Sequence, residues 1–178
     1  MILPFRIPAA LACSALLLAA GCTSAPGPGR TQAGQPPAAG PAAMVAAVRA
    51  AAEAGGPELA VQPLRDPRIE DLRIEAGRLE AAGDVAGAAR ALDLALEEVA
   101  ADPALLQERA EIALLQQDFA LAGSLAERAY ALGSQVGPLC RRHWATLEQL
   151  RLHEGDAQGA ASARTQIEGC RVGGPERY

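Results

Sequence analysis

The sequence predicts an all-α protein of about three stacked helix–turn–helix hairpins, and three observations carry that prediction. A short turn recurs as Gly83-Asp84-Val85-Ala86-Gly87-Ala88, Gln117-Asp118-Phe119-Ala120-Leu121-Ala122 and Gly155-Asp156-Ala157-Gln158-Gly159-Ala160; the second follows the first by 34 residues and the third follows by 38. Apolar residues flank each turn at helical spacing. Ala and Leu dominate, while aromatic residues make up only 3%, a composition that favours helices over strands and lets helices approach closely.

Taken in chain order, residues 1–21 read as a signal peptide. Arg6 is the positive group and Ile7 to Ala20 an uncharged apolar run of about 14 residues, short of the ~20 that a spanning helix needs. Leu17-Leu18-Ala19-Ala20-Gly21-Cys22 resembles the bacterial lipobox, although a larger aliphatic residue is commoner where Ala19 stands. The resemblance implies that Cys22 becomes the new N-terminus, carrying a diacylglycerol and an N-acyl chain. Several chains anchor stably where one is marginal. Thr23 rather than Asp follows, which by the same resemblance implies the outer membrane, with the chain facing the periplasm from its inner leaflet. The alternative is ordinary cleavage that leaves Cys22 a free thiol.

Residues 22–41 form a Pro/Gly/Ala-rich tether without hydrophobic period. Over 42–66 the sequence predicts a leading helix and a loop. Met44, Val48 and Ala51 make its apolar stripe, and Gly55-Gly56-Pro57 ends it. This helix either caps the first hairpin or stays loosely ordered. A short tail follows over 172–178.

Residues 67–171 hold the repeats. The first helices of the hairpins carry Ile69, Leu72, Ala76 and Leu79, then Leu106, Ala110 and Ala113, then Trp144 and Leu147. The second helices carry Ala88, Leu92 and Ala95, then Ala122, Ala126 and Ala129, then Ala160, Arg164 and Ile167. A period of 34 with this turn resembles the tetratricopeptide repeat, and Trp144-x-x-Leu147 resembles that family's opening Trp-x-x-Leu. Glu148 departs from a small residue and Arg164 from a large hydrophobe, while Pro103 and Pro138 sit at the starts of helices. A generic Ala-rich bundle is the alternative architecture. Phe119, Tyr130 and Trp144 are core residues in either case.

Cys140 and Cys170 remain as an even pair in an exported chain, with the turn at Gly155 midway between them. An antiparallel hairpin sets such residues side by side, so a disulfide is predicted; two buried free thiols are the alternative. No catalytic constellation is found, no cofactor or metal is expected, and His143 and His153 lie roughly 80° off a common helix face, so one helix does not aim both at one ion. Arg141-Arg142-His143 is a small basic cluster near the start of a helix; it reads as solvated, with contact to an acidic partner as the alternative.

Net charge is −5 and falls to −6 without residues 1–21, whose one charged group is Arg6. That sign argues against nucleic-acid binding. The tetratricopeptide resemblance implies a concave face from the first helices, offered to a peptide or helix of another envelope protein. Matched position by position, it places Glu70, Arg73, Gly77, Glu80, Gln107, Glu111 and Gln149 on or near that groove. Similar tethered repeat lipoproteins assist β-barrel insertion, pilus secretins and cell-wall enzymes. A non-catalytic scaffold is therefore expected; a passive spacer and a peptidoglycan-acting enzyme are the alternatives.

Overall fold

The computed structural model describes residues 39–54 and 64–171, and among them are seven α-helices and no strand. They are α1 (Pro41–Glu53), α2 (Pro67–Ala81), α3 (Val85–Glu98), α4 (Pro103–Leu115), α5 (Phe119–Leu132), α6 (Gly137–His153) and α7 (Ala157–Gly169). The signal peptide, Cys22, the tether up to residue 38, the segment 55–63 and the tail 172–178 lie outside the described residues. No described helix is long and apolar enough to cross a membrane.

Helix starts follow from cap chemistry. Asp66 and Asp102 precede Pro67 and Pro103, and their carboxylates accept from the first free amides, Arg68 N at 2.9 Å and Ala104 N at 2.8 Å. Proline at the first turn loses no hydrogen bond, because its missing N–H would be an orphan there anyway.

The three repeated turns share one geometry. Asp84, Asp118 and Asp156 have φ/ψ of −82/72, −85/75 and −81/81, and each side chain accepts from an amide three residues on, at 2.7, 3.1 and 2.8 Å. Just before each Asp stands a left-handed residue, Gly83 at φ 82°, Gln117 at 61° and Gly155 at 76°. The Asp amide reaches back to Leu79, Ala113 or Arg151 at 2.8–2.9 Å, closing the six-to-one bond of a Schellman end. One Asp thus ends one helix with its backbone and starts the next with its side chain.

The turns fold the chain into antiparallel pairs: α2 against α3, α4 against α5, α6 against α7. Consecutive pairs meet through α3 on α4 and α5 on α6. Ala88, Ala95, Ala110, Ala113, Ala122, Ala126 and Ala129 are fully buried at these junctions. Their small side chains allow close approach, and each hairpin covers its apolar stripe by meeting a neighbour. Trp144, Tyr130 and Phe119 are half-buried; the Trp144 and Tyr130 rings meet edge-on, 5.0 Å between centroids.

The third hairpin resolves its own irregularities. Glu148 and Arg164, the two departures from the repeat pattern, pair with each other at 2.9 Å across α6 and α7. Cys140 and Cys170 stand with Cα atoms 5.7 Å apart and sulfurs within bonding distance.

The leading helix neither caps the first hairpin nor stays loose. α1 packs on α6 and α4, contributing Met44, Val45 and Val48 to a core with Ala113, Leu114, Ala122, Ala145 and Leu150.

Candidate functional site

The first helices of the hairpins, α2, α4 and α6, present the face on which the sequence places a groove. Half of that face is taken by α1, and named side chains hold it there. Arg141 is 1% exposed and donates from Nε to Ala51 O at 3.0 Å and from Nη2 to Ala52 O at 2.6 Å. A guanidinium thus closes the carbonyl end of α1, where the helix dipole favours a cation. Arg49 leaves the opposite side of α1 and bridges Glu111 and Glu80, each at 2.9 Å.

Beneath α1 runs a buried polar network. Gln107 Nε2 donates to Glu111 Oε1 at 3.0 Å and to Thr146 Oγ1 at 2.9 Å, and Arg142 Nε donates to the same Glu111 oxygen at 2.8 Å. Thr146 spends its own proton on Arg142 O at 3.0 Å, so it must accept from Gln107. That fixes the amide orientation and leaves Gln107 Oε1 as acceptor, 2.7 Å from His143 Nδ1. His143 therefore carries its proton on Nδ1, and Nε2 finds no partner among the described residues. Burial, with the Arg142 charge beside it, pushes the His143 pKa down to about 4. The ring is neutral at physiological pH.

The other half of the face is open. Between α2, α4, α1 and α6, with α3 at its floor through Leu92, lies a cleft of about 430 Å³, walled by Arg49, Arg73, Glu80, Glu108 and Arg142, with Ala76, Gly77, Ala81, Leu92 and Ile112 as its apolar part. Arg73 holds Glu70 at 2.6 Å and Glu108 at 3.1 Å. The Arg73 hydrogen bond keeps Glu70 below the usual carboxylate range. Burial pushes Glu108 up, against the opposing pull of Arg73 and Arg142. Gly77 is exposed in the interior of α2, and a Cβ there would meet nothing within 4 Å. A helical glycine forgoes up to about 1 kcal/mol relative to alanine, and here no neighbouring side chain requires it.

Of the seven groove residues inferred from the sequence, the cleft brings together Arg73, Gly77 and Glu80, with Glu70 bonded to its rim. Gln149 is half-buried on α6 and does not line the cleft. Gln107 and Glu111 are 0% exposed, interior groups beneath α1 rather than groove surface. The Arg141-Arg142-His143 cluster is likewise not solvated: Arg141 and His143 are buried and Arg142 is half-buried. Sequence reasoning missed Arg49, Glu108 and Arg142 as parts of the site. The available signal was Arg49 itself, the only cation in the Ala-rich stretch 41–54. Among the described residues no three His, Cys, Asp or Glu side chains gather into a metal cage.

No protein-family model and no curated protein matches the chain. Among solved structures, the globular C-terminal domain of P. aeruginosa LpoP is similar, with a TM-score of 0.55 and 28% identity over 59% of this chain and 99% of that one. The likeness is thus to a whole globular domain and not to a fragment of one.

Proposed function

We propose that this chain is a lipid-anchored, non-catalytic scaffold of the bacterial envelope. Acylated Cys22 holds it in the inner leaflet of the outer membrane, and the tetratricopeptide-like domain reaches into the periplasm to grip a segment of another envelope protein. The observation that carries this reading is the open half of the α2–α4–α6 face, where groups from five helices, α1 among them, line one cleft. The likeness to the C-terminal domain of LpoP supports a domain of this kind at the end of a longer chain.

Gly77 opens the wall of α2 to close approach by a partner's backbone. The paired Arg and Glu groups offer donors and acceptors already oriented by one another, so a partner binds them at a lower ordering cost than free side chains would require. Because Glu111 ties Arg49 and Arg142 together, the cleft and the seating of α1 share one network.

Crosslinking in the envelope followed by recovery of the full chain tests this. A defined protein partner, lost when Gly77→Arg fills the cleft, is the expected result. Release of muropeptides by the purified chain would favour the enzyme instead, and neither adduct nor release would favour a spacer. Cys22→Ser is expected to move the chain out of the membrane fraction.

A further inference from the structure

The first hairpin has a second, unfilled face. α3 packs on α4, while α1 packs on α4 and α6, so the outer side of α2 and α3 has no neighbour among the described residues. In a longer array the preceding hairpin would stack there, and a terminal hairpin normally covers that side with polar groups. This one does not. Leu94 is 50% exposed, and Ile74, on the strip of α2 adjoining Asp71, is 59% exposed.

Between the two helices on this side lies a cleft of about 500 Å³ where Leu72 and Leu94 sit among Asp71, Glu75, Glu97 and Glu98. Arg68 balances Glu98 at 3.5 Å and Arg78 balances Glu75 at 2.6 Å. Asp71 and Glu97 have no ion pair or hydrogen bond among the described residues, which leaves the apolar cleft with uncompensated negative charge.

We infer that this face docks an amphipathic helix of a partner protein, one whose apolar ridge is flanked by Lys or Arg. The ridge takes the place of the missing hairpin over Leu72 and Leu94, and the flanking cations meet Asp71 and Glu97. A second copy of this chain is disfavoured because it would oppose carboxylate to carboxylate, and an anionic lipid surface is disfavoured for the same reason. The chain's own α1 is engaged elsewhere. The site is distinct from the cleft around Gly77, so the chain would hold two segments at once.

Fluorescence anisotropy with the full-length chain in detergent tests this, using a labelled Leu/Lys amphipathic helical peptide and a Leu/Glu peptide with the same apolar pattern. The Leu/Lys peptide is expected to bind saturably and more weakly at high salt, while the Leu/Glu peptide fails to bind. Leu94→Arg, a change at a half-exposed position, should weaken binding about tenfold or more. Asp71→Asn with Glu97→Gln should weaken it and flatten the salt dependence. Gly77→Arg should leave it unchanged, which separates this site from the other cleft. Equal binding of the two peptides, no binding of either, no effect of Leu94→Arg with helix content intact, or a dimer abolished by Leu94→Arg would each overturn the inference.

Discussion

Gln117 holds a left-handed backbone, φ 61°, at the position where Gly83 and Gly155 stand in the sister turns. A side chain in that region crowds its own carbonyl, whereas glycine does not. Gln117→Gly is expected to stabilise the fold by about 0.5–1 kcal/mol, less than the full strain because glycine also loosens the unfolded chain. A lower midpoint in urea denaturation would contradict this. His143 gives the second residue-scale prediction. Its folded pKa of about 4 lies below the ordinary 6.5, so below pH 6.5 the unfolded chain binds more protons than the folded one. The stability contributed by the neutral ring is complete above pH 6.5 and lost as pH falls toward 4, roughly 3 kcal/mol in all. The ring is faced by Gln107 of α4, by Tyr130 of α5 and by Arg142 on its own helix, and none of these is acidic. His143→Asn keeps a donor for Gln107 but cannot titrate. Its stability should therefore change less between pH 6.5 and 4.5 than that of the parent chain, and equal slopes would refute the lowered pKa of the buried ring.

The helices themselves were legible because cap and period agree. Asp-Pro pairs begin α2 and α4, Asp begins α3, α5 and α7, and the repeat places the turn inside each of the three hairpins. What stayed illegible was where α1 goes. Its apolar stripe, Met44, Val48 and Ala51, shows that it must cover something, but the period of one helix carries no information about its partner. The two helices that receive it lie some 60 to 100 positions further on and contribute Ala113, Leu114, Ala145 and Leu150, residues any hairpin core would use. Arg141 was misread for a related reason: an Arg-Arg-His run looks solvated until a helix end is brought to it. Replacing Arg141 by Met keeps volume but leaves the Ala51 and Ala52 carbonyls without their donor, a cost of about 2–3 kcal/mol. Hydrogen exchange should then quicken throughout α1 while α2 and α3 keep their protection; uniform quickening would mean that α1 is not held separately. Next to Arg141, at the same start of α6, the Cys140–Cys170 pair closes a span of 30 residues, which in the chain-entropy model contributes about 3–4 kcal/mol. Peptide mass analysis after alkylation should find both cysteines unlabelled without reductant. Labelling of both would refute the bond.

At the scale of the whole molecule, the face inferred from the repeats exists but is divided. Glu70, Arg73, Gly77 and Glu80 belong to its open part, because α2 lies beyond the reach of α1 except through Arg49. Gln107 and Glu111 belong to its closed part, and no pattern in α4 distinguishes a residue under α1 from one facing water. The chain thereby covers part of that surface with its own helix and leaves the remainder open. This arrangement predicts that a partner contacts the domain beside α1 and does not replace it. The most direct test is a photoactivatable crosslinking residue placed at position 77 in the full chain within the envelope, with a control at Ser162, which is exposed on α7. A single protein adduct from position 77 and none from 162, with Arg49 still protected by its neighbours, is the expected result. Equal adducts from both positions, or none from 77, would contradict the claim that this cleft is where the protein meets its partner.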